Sequence, residues 1–515
     1  MKIITNFNLF FNLFFILNLS YNVDCFVGQQ NGKFIDTTNN NELYFHGVNV
    51  VYKGPPWYPT LDKFNINTSF VKKDYKILEN LGFNSVRLGI MWPGVEPYEG
   101  FIDNDYLDIL YNITLELNKH NIYVILDFHQ DIISSLFCGE GVPNWFVFKY
   151  LDNKTINNFP IPIDKPYNIL NNKVFNNSVF NNYNNYNISD LCDKNNWIKY
   201  HFSYAVSETF QKLYDNPESM KNYWYAVSNK FKDCINCIGY EIINEPWCGN
   251  IFKNPLLLTP YYAENINLLP FYNKIISYIR EYDKNHIIFF ETVTWNIFKI
   301  GFNNLPYDIM NNIGLSYHIY TPPNISPILA FEYRIQDLNK YNIVGYLTEF
   351  DYGSGNFKTS NKKEMNNLIN LLNNTDKYLQ SWAVWEYKSF YNLTGANSGF
   401  FNNTNKLYNN GVMYLSRPYP IQIGGTLLYF HYNINNSKIY ITYNIFNNLY
   451  NSNSIIYLGA KKYNKLNIKS NNNCSNYNIN IKNNRLFLNV INIKKIKKNY
   501  YYNYYNLICK FIIEV

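Results

Sequence analysis

The sequence predicts an α/β protein, a (β/α)8 barrel followed by a C-terminal antiparallel β-sandwich. Three observations carry that expectation. Eight short apolar runs recur between residues 44 and 387. Helical patterns separate several of them. After Pro420 the helical patterns stop, and short alternating runs replace them.

The apolar runs span 44–53, 84–92, 122–129, 238–246, 287–295, 313–320, 343–350 and 381–387. They are too apolar to leave one face in water, so they read as buried parallel strands. Between the first two, Val71, Tyr75, Leu78 and Leu81 share a helical face, and Gly82 supplies a stop. Leu107, Leu110, Tyr111 and Thr114 repeat in the same way before Asn121. Residues 204–231 hold one or two helices, with Pro217 marking a break. Strand and helix alternating through eight strands describe a barrel. A doubly wound open sheet is the alternative, but no Gly-rich phosphate turn follows the first strand.

The longest interruption, 132–200, follows the third strand. Loops of this length are functional or disordered. Residues 139–145 and 195–200 are expected to fold over the rim, and the Asn-rich middle, 171–187, to be mobile. Beyond Pro420, the runs 438–443, 454–458, 485–490 and 507–515 are separated by Asn and Ser clusters, as in a small sandwich. The expected organisation is a leader over 1–24, a catalytic barrel over 25–420 and a sandwich over 421–515.

The leader begins with Lys2, runs through apolar residues 9–17 and turns polar at Ser20. That is a secretory signal pattern, too short to span a membrane well. An uncleaved anchor is the alternative. The sequons at Asn67, Asn112, Asn153 and Asn187 agree with export, although so Asn-rich a chain makes chance sequons common. The expectation is therefore a glycoprotein of the secretory pathway, secreted or held in a lysosome-like compartment.

A net charge of +7 over 515 residues suits a solvated, mildly basic exterior with peripheral contact at an anionic membrane. No nucleic-acid partner is expected, and the chain is expected to act as a monomer. Of the eight cysteines, Cys138 and Cys248 follow strand ends on one rim and are placed to meet. Cys474 and Cys509 share the C-terminal region. Cys234 and Cys237 form a lone C-x-x-C without a second pair, which favours a local disulfide or simple burial over zinc.

Two glutamates say most about chemistry. Glu245 ends Ile242-Ile243-Asn244-Glu245-Pro246, and Glu349 ends Gly345-Tyr346-Leu347-Thr348-Glu349. The C-terminal end of a barrel strand is where such folds place their reactions. Two carboxylates on one rim make the acid and nucleophile that cleave glycosidic bonds. Asn244 is placed to donate to a sugar 2-hydroxyl. Arg87 is a charge in a buried strand and needs a carboxylate, for which Glu349 is the natural partner. His129 and Asp131 lie at the third strand tip, His318 and Tyr320 at the sixth, and Trp385 at the eighth, where it offers a face to a sugar ring. A lone His or Trp is usually core packing, but polar and aromatic groups at so many strand tips are not. Glu291, in Phe290-Glu291-Thr292, also ends a strand. The His318-x-Tyr320 that precedes Glu349 favours Glu349 as nucleophile and leaves Glu291 to brace the rim. Neither a metal nor a cofactor is expected, since the seven histidines are scattered and form no H-x-x-x-H.

With these residues in view, the chain resembles glycoside hydrolase family 5, and within it the endoglycoceramidases, over about residues 40–425. The broad set is Arg87, His129, Asn244-Glu245-Pro246, His318-x-Tyr320, Glu349 and Trp385. The narrower set is Gly47-Val48-Asn49, Lys53-Gly54-Pro55-Pro56, His129-Gln130-Asp131, Asn244-Glu245-Pro246-Trp247, Trp385-Glu386-Tyr387-Lys388 and Arg417-Pro418-Tyr419-Pro420. The resemblance implies a retaining hydrolase of the bond between oligosaccharide and ceramide, with Glu245 as acid/base and Glu349 as nucleophile. It also implies that Lys53, His129 and Asp131 hold hydroxyls of the sugar next to the ceramide. The Asn-rich insert and a divergent C-terminal domain depart from the pattern. A glucosylceramidase, a steryl-β-glucosidase, an endo-β-glucanase and a non-catalytic carbohydrate-binding protein stand as the alternatives.

Overall fold

The structure is a computed structural model that describes residues 26–159, 197–294, 299, 301–320, 326–351, 362–390, 399–402, 406–407, 409–445, 451–460, 466–471, 474, 476–491 and 507–515. The leader over 1–24 and the Asn-rich stretch over 171–187 lie outside the described residues.

Three short strands open the chain: Val27–Gln30 (β1), Lys33–Asp36 (β2) and Glu42–Leu43 (β3). Eight parallel strands then close a barrel: His46–Val50 (β4), Ser85–Gly89 (β5), Tyr123–Asp127 (β6), Cys237–Glu241 (β7), Ile287–Phe290 (β8), Ile313–Ile319 (β9), Val344–Phe350 (β10) and Ser381–Val384 (β11). Each falls inside or within one residue of an apolar run of the sequence. Several runs extend past the ladder at their C-terminal ends. Those extra residues leave the sheet to build the rim.

The helices fall where periodicity places them. Lys72–Asn80 stops before Gly82, whose φ of +80° a side chain rarely adopts. Tyr204–Asp215 and Lys221–Phe231 are separated by the turn at Pro217. Between strands and helices lies the main core, to which β5 contributes Val86 and Leu88. Alternate residues point inward. At the bottom, Phe45, Ile125, Phe289 and Tyr346 fill the interior, joined by Val27 and Phe34 from the β1–β2 hairpin, which plugs that end. At the top, the inward residues are polar, and there the site lies.

The C-terminal region forms strands Tyr419–Ile423 (β12), Thr426–Asn433 (β13), Lys438–Ile445 (β14), Asn451–Tyr457 (β15), Asn467–Ser470 (β16), Tyr477–Lys482 (β17), Arg485–Ile491 (β18) and Leu507–Glu514 (β19). One sheet runs β13-β14-β19-β16 and the other β1-β2-β3-β12-β15-β18-β17. The amino-terminal strands thus pair with a C-terminal sheet, β3 lying antiparallel to β12. Their inner faces share a second core that includes Ile441, Ile456 and Leu488.

Disulfides join Cys234 to Cys237 and Cys474 to Cys509. The expected Cys138–Cys248 pairing does not occur. Cys138 is disulfide-bonded, but Cys248 is a free, buried thiol, which burial pushes up to about 12.

Candidate active site

Arg87 is the centre of the polar layer. Its side chain is fully buried. Nε donates to Glu241 Oε2 at 2.5 Å, Nη1 to Glu349 Oε1 at 2.7 Å and Asn49 Oδ1 at 3.0 Å, and Nη2 to Asn244 Oδ1 at 2.8 Å. Asp127 Oδ1 lies 3.1 Å from Nη2. One guanidinium therefore serves three buried carboxylates and offsets part of their charge. Asp127 carries the strain of this excess. Burial, with the Glu349 charge beside it, pushes its carboxyl up to about 7 against the pull of Arg87.

A β-bulge aims Glu349. In β10, Tyr346 faces the interior core and Leu347 the outer one. Strict alternation would then put Thr348 inside and Glu349 outside. Instead Leu347 pairs with Tyr317 and Glu349 with His318, leaving Thr348 as the extra residue. Both side chains now face inward. Thr348 Oγ1 donates to Glu241 Oε1 at 3.3 Å, while Glu349 takes Arg87 on one oxygen and the Tyr320 hydroxyl, at 2.8 Å, on the other.

Glu245 sits four residues beyond the last residue of β7, with a φ of +41° that non-glycine residues rarely adopt. Three hydrogen bonds impose that turn. Gln130 Nε2 donates to the Asn244 carbonyl at 2.7 Å and the Glu245 carbonyl at 2.8 Å, and Glu291 Oε2 accepts the Glu245 N–H at 2.7 Å. The Glu245 carboxylate meets His318 Nδ1 at 2.7 Å. One oxygen from Glu245, one from Glu349 and a His318 ring nitrogen all lie within 4.8 Å of one another.

A second cluster flanks the pair. Lys53 ion-pairs with Asp131, and with Glu140 at 3.2 Å. Burial works against both carboxylates. Lys53 still holds Asp131 below its ordinary range, whereas Glu140, facing the Asp131 charge, is pushed well up. His129 stacks on Trp385 at 5.4 Å, and the Lys53 ammonium lies 4.7 Å from the same ring. Burial, reinforced by Lys53, holds His129 well below its ordinary value, so it is a neutral imidazole. Its Nδ1 lies 2.7 Å from Asp127 Oδ2, which links the two clusters. His129, Asp131 and Glu140 are close enough to hold a cation, but the Lys53 ammonium already provides that charge.

All ten residues expected at the site are therefore brought together: Lys53, Arg87, His129, Asp131, Asn244, Glu245, His318, Tyr320, Glu349 and Trp385. Sequence reasoning missed Asp127, Glu140 and Glu241. Glu140 lies in the long loop, where periodicity says nothing. The one available signal was its neighbour Gly139, where a Cβ would fall 1.7 Å from the Asp131 carbonyl oxygen. At the end of the loop expected over the rim, the Trp145 indole N–H is bonded to the Glu96 carbonyl at 3.0 Å, and the next residue, Phe146, is fully buried in the core.

Carboxylates this close on a barrel rim are the working parts of an O-glycosyl hydrolase. Comparison with known proteins narrows the class. The cellulase model of glycosyl hydrolase family 5 matches residues 39–390, and the chain belongs to that family. It is 36% identical over 424 residues to an endoglycoceramidase of Hydra vulgaris, covering 81% of this chain and 77% of the relative. It is 37% identical over 356 residues to an endoglycoceramidase of Cyanea nozakii, covering 68% and 66%. Among solved structures, the lactosyl-enzyme intermediate of endo-glycoceramidase II from Rhodococcus sp. superposes with a TM-score of 0.67 over 95% of this chain and 99% of that one. At 15% identity this likeness speaks to the fold.

Proposed function

We propose that this hydrolase cleaves, with retention, the β-glycosidic bond between the oligosaccharide and the ceramide of a glycosphingolipid. The observation that carries the retaining reading is that one oxygen of Glu245 and one of Glu349 lie within 4.8 Å of each other. An approach this close suits retaining enzymes, whose carboxyl groups stand about 5–5.5 Å apart, better than inverting ones, at about 6.5–9.5 Å. The likeness to two endoglycoceramidases supports the substrate class.

In this reading Glu349 attacks the anomeric carbon as Glu245 protonates the departing oxygen. Glu245, now a carboxylate, takes a proton from water, which attacks the same carbon and frees Glu349. Arg87 and Tyr320 hold the nucleophile in place and aim it. Asn244 Nδ2 gives one hydrogen to the Gln130 carbonyl at 2.9 Å and keeps the other for the sugar 2-hydroxyl. Lys53, His129, Asp131 and Trp385 take the sugar hydroxyls and ring face. The test is incubation with lactosylceramide and glucosylceramide in detergent. Lactose plus ceramide is the expected result. Release of glucose alone would replace this reading with an exo-acting glucosidase.

A lipid-facing wall belongs to the same proposal. Trp57 is half-buried and packs beside Val51, Met91 and Trp385. Trp57→Ala is expected to lower kcat/KM on lactosylceramide about tenfold more than on a soluble aryl glycoside, since burying a large aromatic is worth roughly 1.5–3 kcal/mol. An equal fall on both substrates would make Trp57 a packing residue. Peripheral membrane contact is supported by Phe252, Leu256, Leu258 and Tyr261, which stand 43–57% exposed on the stretch that follows β7. That stretch, 249–262, carries a single charge, Lys253. Cosedimentation with anionic vesicles, weakened by Leu256→Asp, is the expected result. Passage through the secretory pathway is supported by the leader and by exposed sequon positions Asn112 and Asn153.

A further inference from the structure

Glu291 takes no part in the two-carboxylate reaction, yet it is 95% buried against the groups that perform it. While Oε2 accepts the Glu245 N–H, Oε1 faces His318 Nε2 at 3.7 Å. That nitrogen is buried and makes no hydrogen bond among the described residues. The opposite nitrogen, Nδ1, is bonded to Glu245 Oε1 at 2.7 Å. Carboxyl, imidazole and carboxyl thus stand in a row, with a contact at one end that a small closing movement would turn into a hydrogen bond.

We propose that Glu291 is a positioning residue that, through His318, keeps Glu245 supplied with its proton. This rests on the reading of Glu245 as the acid. The transfer runs from imidazolium Nδ1 to Glu245 Oε1. It leaves a carboxylic acid and a neutral imidazole whose remaining N–H, on Nε2, points at Glu291. One N–H bond breaks and one O–H bond forms, with no electron transfer.

The surrounding charges agree with this geometry. Glu241 of β7, Glu349 of β10 and Glu245 face the pair, and Arg87 ion-pairs with the first two. Tyr320 lies beyond His318, and Tyr272, on the helix Leu269–Tyr282, donates to the Glu291 carbonyl at 2.7 Å. Burial raises both phenols, so they act as donors and not as charges. Burial also pushes the Glu291 carboxyl well up, against the pull of His318. Burial alone would lower His318, but Glu291, Glu349 and Glu245 raise it to about 10. These groups titrate as one coupled set.

Glu291→Gln separates bracing from proton supply. The amide oxygen still accepts the Glu245 N–H, but the negative charge is gone. Without it the protonated pair is less stable, so the basic limb of the kcat/KM–pH profile should move to lower pH. The expected shift is about one unit, a roughly tenfold loss on that limb for a phenyl β-glycoside. A dinitrophenyl glycoside, whose leaving group needs little acid help, should change by less than about threefold. Glu291→Asp keeps the charge and should keep the limb near its parent position. Stability gives a second reading. The folded-state values of Glu291 and His318 lie above their unfolded ones, so the stability they contribute is complete at low pH and is lost as pH rises. Glu291→Gln removes both the burial cost of the Glu291 charge and the support that charge gives His318, so its stability should vary less with pH than the parent's. An unmoved limb, with equal losses on both glycosides, overturns the inference. Glu245→Gln, run alongside, keeps the two readings apart, because indifference of that variant to the leaving group would overturn the acid assignment instead.

Discussion

Glu349→Gln is expected to lower kcat/KM by about 10⁴-fold or more on every substrate the enzyme accepts, because no covalent glycosyl-enzyme can form. The substitution should leave the fold intact. Gln is nearly isosteric: its amide oxygen can accept from Arg87 Nη1, and its amide nitrogen then replaces the oxygen beside Tyr320 and donates to that hydroxyl. Removing one negative charge does not strand Arg87, which retains Glu241 and Asp127. The measurements are steady-state turnover, the unfolding midpoint, and mass spectrometry of enzyme quenched during turnover. Near-normal activity, or a glycosyl adduct still formed on the variant, would remove Glu349 from its role.

Glu245→Gln should behave differently, and the difference identifies the acid. With an unactivated leaving group the loss should be about 10²–10⁴-fold, the usual worth of a general acid. With a dinitrophenolate leaving group kcat/KM should fall far less, since that oxygen departs without a proton. Turnover of the covalent intermediate also needs Glu245, now as a base, so kcat should drop even where kcat/KM does not. The backbone turn at Glu245 is fixed by Gln130 and Glu291 through main-chain atoms, so the variant should keep it. A loss independent of leaving group would assign the proton to another residue.

How much of this was legible in the chain follows from what each feature depends on. The eight barrel strands depend on apolar runs buried on both sides, which a sequence displays directly. Glu245 could be found because Asn244 and Pro246 frame it at the end of such a run. The direction in which Glu349 points could not, because it rests on the bulge at Thr348 and not on residue identity. The strand partners Asp127 and Glu241 were hidden for a related reason. A buried acid in a strand is unremarked until the cation that neutralises it is known to lie opposite. Strands β1–β3 escaped because they are short and because β3 finds its second partner, β12, far along the chain. Cys138 and Cys248 share a rim in the sequence pattern, but a rim is a circle, and shared height says nothing of adjacency.

The pairing of β3 with β12 has a consequence for the order of events as the chain is made. Leu43 bonds in register with Gln422, 379 positions later. At roughly 5–20 residues per second of synthesis, the first strands exist for about 20–80 s before their partner emerges. Throughout that interval β3, which follows the β1–β2 hairpin and pairs with β2, presents an unpaired edge, the feature that invites association with other chains. The last fifth of the protein carries none of the proposed reacting groups. It nevertheless decides when the free edge of β3, within the first tenth, stops being a hazard, which makes the tail a timer for safe folding.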